Sequence, residues 1–305
     1  MRAPIHRLAL VTAGATFLLV VAGGLVWATE SALACPDWPL CHGEAFPKLS
    51  GRVFFEVGHR YVAAAVATLT ALFSAAGWRR GGAARRAGLT ALGLVLAQAL
   101  LGGLTVLLRL PLVIRVAHLA VSQAFFASVI WAVFATREPA TRAAPAAGSA
   151  RALSAVAAAA VYAQLLLGAF VRHTGAGLAC NAAILSCGGS FWPAAADGPA
   201  WTIRAHELFA LAVAGLVVLA ASRTWRESAA APPRRLAAAA VLLVLVQVGL
   251  GLASVLSYLD VATVTAHLAA GSLLFAAVLS LRLSLAGPEA AALPIAAPAR
   301  ALEAA

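Results

Sequence analysis

Four histidines carry the chemistry this sequence announces. His59, His118, His206 and His267 each fall near one end of an apolar stretch, and they form two copies of one pattern. A shift of about 145 to 149 residues places His59 on His206 and His118 on His267. The same shift puts Leu33-Ala34-Cys35 on Leu178-Ala179-Cys180, and Gln98-x-x-Leu101-Gly102 on Gln247-x-x-Leu250-Gly251. Ionisable side chains inside apolar helices are costly, so four at equivalent positions mark a site.

Two imidazoles facing each other across a helical bundle are a common way to hold haem iron. A lone histidine of this kind is ordinarily a hydrogen-bonded packing residue, but a repeated pair at one depth favours ligation. Each is expected within the first five or so residues of its helix, less than about 8 Å below the outer boundary. Copper or di-iron sites would ask for sulfur or several carboxylates, and each half offers one intramembrane acid, Glu56 or Glu207. Glu56 stands one turn before His59, so the two share a helix face; the second copy has Ile203 there. Such a carboxylate can take protons beside a ligated group, or it can be a helix-start acid favoured by the dipole.

Two cysteine pairs complete the candidates. Cys35/Cys41 and Cys180/Cys187 are the chain's only cysteines, one pair in each long connection, 29–55 and 173–202. Pairs confined to an oxidising face read as disulfides, serving either as structural staples or as labile redox pairs. Zinc is disfavoured: Cys35, Cys41 and His42 could offer three ligands, but the second copy has only His173, and Cys-x5-Cys is not a usual zinc spacing.

The elements that position these groups must be membrane helices. Hydrophobic residues make up 63% of the 305 and charged residues 11%, with a mean hydropathy of +0.93, which excludes an ordinary soluble domain. Apolar stretches long enough to cross a bilayer recur at 8–28, 56–77, 87–108, 113–135, 152–172, 203–222, 236–257 and 262–283. The first leads into a cysteine loop with a later copy, so it reads as a helix rather than a cleaved signal. Unbroken Ala- and Leu/Val-rich runs exclude a β-barrel. The net charge of +11 reflects topology rather than nucleic-acid binding. Roughly two thirds of the Lys and Arg lie on the side of the amino terminus, the bias of cytoplasmic loops. The fold expected is therefore an all-α membrane protein with eight transmembrane helices in two pseudo-equivalent four-helix bundles, both termini cytoplasmic. The division is 1–136, a cytoplasmic linker at 137–151, a second half at 152–285, and a disordered tail at 286–305.

These residues also carry a family resemblance. Leu33-Ala34-Cys35-Pro36-Asp37-Trp38-Pro39-Leu40-Cys41-His42-Gly43, followed by Glu56-x-x-His59-Arg60, resembles bacterial haem A synthase, as does Gly168-Ala-Phe-Val-Arg172-His173-Thr-Gly-Ala-Gly-Leu-Ala-Cys180. The resemblance runs from about residue 8 to 283. It implies oxidation of the C8 methyl of haem O to a formyl through hydroxylated intermediates, in the cell membrane. It further implies that His59, His118 and Glu56 form the substrate site and that His206 and His267 hold a haem b cofactor. The partners implied are haem O as substrate, haem O synthase as its supplier and a membrane electron acceptor, with a homo-oligomer left open. One departure concerns the propionates: the second copy has Arg172 where the first has Trp27, so Arg172 is expected to contact propionate in one half and Arg60, or Arg52, in the other. The rival readings are a non-catalytic di-haem b-type electron carrier and a haem-delivery transporter.

Overall fold

The computed structural model describes residues 2–137, 148–181 and 186–286. Eight helices run through them: α1 (Arg2–Ala28), α2 (Gly51–Arg80), α3 (Gly82–Leu107), α4 (Leu112–Thr136), α5 (Gly148–Thr174), α6 (Gly198–Glu227), α7 (Ala231–Leu256) and α8 (Val261–Ser284). Among the described residues there is no strand, only a 3-10 turn at Ala176–Leu178. All eight helices are long and apolar enough to cross a membrane, so this is a multi-pass membrane protein. Leucines such as Leu100, Leu242 and Leu245 point outward, where lipid rather than water is the neighbour. Of the stretch read as a linker, 148–151 belongs to α5, while 138–147 and the tail from 287 lie outside the described residues.

Six helix starts precede the hydropathy pattern by more than a turn, and only α4 and α8 begin with it. Helix α2 begins at Gly51 and α6 at Gly198, more than a turn before their apolar runs. Their first turns are mixed in polarity, so hydropathy alone passes over them. At α6 the start is set by Asp197, whose carboxylate accepts from the Ala200 N–H at 3.0 Å, with Pro199 in the first turn. Asp260 caps α8 in the same way, accepting from Ala262 N at 2.8 Å.

Helix α1 packs on α2 and α4, α2 on α3, and α3 on α4. The second set repeats this order, with α5 on α6 and α8, α6 on α7, and α7 on α8. Helices α2 and α4 therefore stand at opposite corners of one ring, as do α6 and α8 of the other. The rings meet through α1·α8, α4·α5 and α4·α8. At this seam the Gln123 amide donates to the Ser272 hydroxyl at 3.1 Å, and these two residues are equivalents in the repeat. Tyr162 of α5 donates to the Ala120 carbonyl of α4 at 3.0 Å.

The connections repeat as closely as the helices. Arg109 and Leu110 leave α3 with φ of 56° and 65°; Tyr258 and Leu259 leave α7 with 54° and 65°. Leu110 N donates to Thr105 O, and Leu259 N to Ser254 O, both at 2.8 Å. Two successive non-glycine residues at positive φ cost energy, so their recurrence shows that this turn geometry is specified in both copies.

Candidate functional site

Each histidine lies against a glycine of the preceding helix. A Cβ at Gly23 would stand 3.2 Å from His59 Cε1, at Gly102 3.2 Å from His118 Cε1, at Gly168 3.1 Å from His206 Cε1, and at Gly251 3.1 Å from His267 Cε1. Four odd-numbered helices thus give up a side chain at the same place so that an imidazole can rest on bare backbone. His59 and His206 fall more than two turns into α2 and α6, about 12 Å along the axis at 1.5 Å per residue. This is deeper than the first five residues expected, because those helices start earlier. His118 and His267 lie about 9 Å into α4 and α8. Within each ring the two imidazoles come from helices at opposite corners, His59 and His118 in the first and His206 and His267 in the second.

Glutamines one turn before three of those glycines reach the same rings. Gln98 Nε2 lies 3.2 Å from His118 Nε2, and Gln247 Nε2 lies 3.3 Å from His267 Nε2. Gln164 Nε2 lies 3.1 Å from His206 Nδ1 and donates to the His206 carbonyl at 2.9 Å. The Nδ1 atoms of His59, His118 and His267 are buried without a partner. Buried imidazoles paired within a bundle, three of them with an orphaned nitrogen and each on a glycine cradle, fit bis-histidine ligation of a haem iron. Among the described residues no group of three or more His, Cys, Asp or Glu is assembled that would suit another metal.

The cysteine connections close over the helix ends. Cys35–Cys41 and Cys180–Cys187 are disulfides, with Cα–Cα distances of 4.7 and 4.6 Å. Each second cysteine pairs its backbone with the residue three further on, Cys41 with Glu44 and Cys187 with Ser190. The zinc option is closed, since both thiols of the first loop are oxidised and His42 Nε2 contacts the Ala34 carbonyl at 2.9 Å. Asp37 accepts from Gly43 N at 2.8 Å and His42 N at 2.7 Å. The Gly43 N–H, with that of His42, holds the Asp37 carboxyl below the usual carboxylate range.

Glu56 is buried, 3% exposed, and both its oxygens are engaged. Oε2 accepts from the Cys35 N–H at 2.8 Å, and Oε1 accepts from Arg60 Nη2 at 2.6 Å. Arg60 also donates to the Asp37 carbonyl at 3.0 Å and to the Leu40 carbonyl. Arg60, expected as a propionate contact, is held here by Glu56 and by the carbonyls of its own loop. The second copy reverses the charges around its histidine. Arg204, 1% exposed, donates to Glu207 at 2.6 Å and lies 4.9 Å from the Phe191 ring centre. The pattern Arg-x-x-Glu around His206 was the signal for this pair, set against Glu-x-x-x-Arg around His59.

Arg172, the other expected propionate contact, opens onto a cavity of about 420 Å³ between the two rings, shared with Trp27, Arg52, Arg115 and His173. Trp27, the departure in the first copy, packs edge-on against His173 with ring centres 4.6 Å apart and lies under Arg115. Arg52 is paired with Glu30 at 3.2 Å.

The sequence profile of the COX15-CtaA family, described as cytochrome oxidase assembly protein, matches residues 6–52 and 49–279. The chain belongs to this family. Among similar proteins is one named Heme A synthase from Bacillus licheniformis, 26% identical over 277 residues, covering 88% of this chain and 91% of that protein. Another of that name, from Rhizorhabdus wittichii, is 29% identical over 325 residues, covering 88% and 90%. A protein named Protoheme IX farnesyltransferase, from Haloarcula marismortui, is 35% identical over 124 residues, which are 40% of this chain and 26% of that protein.

Against this family background, the glutamine of α5 is the residue that sequence reasoning missed. Gln98 and Gln247 stood out as repeat markers without a role. Gln164, four residues before Gly168 as they are before Gly102 and Gly251, had the same signature.

Proposed function

We propose that this chain is a haem A synthase of the cell membrane, oxidising the C8 methyl of haem O to a formyl. The observation that carries the reading is the pair of histidines in each ring, every imidazole seated on a glycine. The names of the relatives agree with it. In this reading residues 1–136 receive haem O between His59 and His118, and residues 152–285 hold haem b between His206 and His267. The cysteine loops face outward and both termini are cytoplasmic, as the arginine distribution favours.

A b-type haem, when bound, supplies an electron-accepting centre next to the substrate half. The chain's own residues do the rest. His59 and His118 orient the substrate ring between α2 and α4. Glu56 accepts protons released as the methyl is oxidised, with the Cys35 N–H and Arg60 holding its oxygens in place. The two disulfide loops cover the helix ends and limit water. Arg172 offers a cation to a propionate at the mouth of the second half. Haem O is expected from a haem O synthase, the enzyme class that makes this substrate.

Extraction of pigments from the purified protein tests the reading. Haem B together with haem O or haem A is expected. Haem B alone would mean an electron carrier, and no haem would mean a transporter.

A further inference from the structure

All four histidines have the glycine, but only three have the glutamine. The position on α1 that corresponds to Gln164 is Leu19, one turn before Gly23 just as Gln164 is one turn before Gly168. Leu19 packs among the apolar residues of the first ring. His59 consequently makes no side-chain hydrogen bond through either ring nitrogen among the described residues, whereas His118 and His267, which share its unpartnered Nδ1, have a glutamine at Nε2. On the other side of the same ring His118 has Gln98; in the second ring both His206 and His267 have glutamines.

We propose that Gln98, Gln164 and Gln247 are positioning residues for three of the four imidazoles, and that Leu19 leaves His59 as the one ligand free to let go. The second half would then retain its haem while the first exchanges its own. This rests on the haem A synthase reading and adds to it a physical basis for telling substrate from cofactor. A histidine that binds a metal is held in orientation by a hydrogen bond to its other ring nitrogen or to a neighbouring group, and loss of that partner costs about 10- to 100-fold in metal affinity. A primary amide suits the role because it carries both an acceptor and a donor, so it can meet a ring nitrogen that is protonated or bare. The Oε1 atoms of Gln98, Gln164 and Gln247 are all buried and unpartnered, which leaves each amide an acceptor in hand beside its ring. Leucine at position 19 can do neither. It fills the same volume and leaves the imbalance in the chain itself: one unclamped ligand in four, placed in the half assigned to the substrate.

The test is haem release from the full-length protein in detergent, with excess apomyoglobin as the acceptor. Release of resident haem B reports the second half. Release of haem O, added without an electron acceptor, reports the first. Gln164→Leu and Gln247→Leu are expected to release haem B about 10- to 100-fold faster and to shift its low-spin spectrum. Leu19→Gln is expected to slow haem O release by a similar factor, an effect no loss of packing could produce. Should Leu19→Gln fold poorly, Gln98→Leu, which removes the only clamp of that half, is expected to speed haem O release instead. Release rates and spectra unchanged in the well-folded glutamine variants would overturn the proposal. A wild-type protein that holds no haem through His206 and His267 would instead overturn the underlying reading.

Discussion

The glycine cradles make a prediction that can be worked from distances. In Gly251→Ala the new methyl would meet His267 Cε1 at 3.1 Å, inside the roughly 3.5–4.0 Å of relaxed carbon contacts. Either the ring or α7 must move by a few tenths of an ångström. Overpacking of this kind costs about 1–3 kcal/mol, while alanine in place of glycine within a helix returns up to about 1 kcal/mol. Folding stability should thus fall by about 0–2 kcal/mol, because the helix gain offsets only part of the overpacking. Haem binding has no such offset, since the displaced atom belongs to the ligand ring itself. A misplacement costing about 1–3 kcal/mol weakens haem retention roughly 5- to 150-fold. Gly249 is the internal control: it lies on the same helix, faces outward, and has nothing within 4 Å of an added Cβ. Haem per folded protein, measured on both variants after size-exclusion chromatography, should show Gly249→Ala fully loaded and Gly251→Ala depleted by more than any fall in its thermal midpoint accounts for. Equal haem content and equal release rates in the two would refute the cradle argument.

Glu56→Gln keeps an acceptor for the Cys35 N–H but removes the charge. We expect normal protein yield with haem A formation lost, and wild-type product levels would make Glu56 a brace only. Glu56→Ala should also lose stability, because the buried Cys35 N–H is left without its acceptor, a cost of about 1–3 kcal/mol, while Arg60 keeps only its loop carbonyls. Cys180→Ala should lower the thermal midpoint by opening a short loop worth about 2–3 kcal/mol in the chain-entropy model, with product per haem-loaded molecule nearly unchanged. The Asp37 carboxyl is held below its ordinary 3.8 by the backbone N–H of Gly43 and then of His42. Its contribution is therefore present above that value and is lost as pH falls below it through the lower folded value. Proteolysis of the first loop should quicken on acidification in the wild type, and an Asp37→Ala variant should be cleaved as fast at neutral pH as the wild type is in acid.

Much of the architecture is legible in the sequence because a bilayer permits few solutions. Unbroken apolar runs must be helices, and the repeat pairs His59 with His206 and His118 with His267 before any coordinates are seen. What escaped is long-range or polar. Glu56 meets Cys35 from 21 residues away, so helix periodicity points to His59 as its neighbour and is silent about the loop. Arg204 reads as one more charge at a helix end, yet it is buried against Phe191 and Glu207; hydropathy cannot tell a snorkelling arginine from an enclosed one. The glycines opposite the histidines look like ordinary small residues of membrane helices until the imidazoles are placed on them.

The division of labour between the two histidine pairs is the central claim, and four single variants test it most directly. His206→Ala and His267→Ala should each abolish the low-spin haem absorption of the purified protein. His59→Ala and His118→Ala should keep that absorption and make no haem A in cells. Full low-spin absorption in both second-half variants, or undiminished haem A in both first-half variants, would contradict the account.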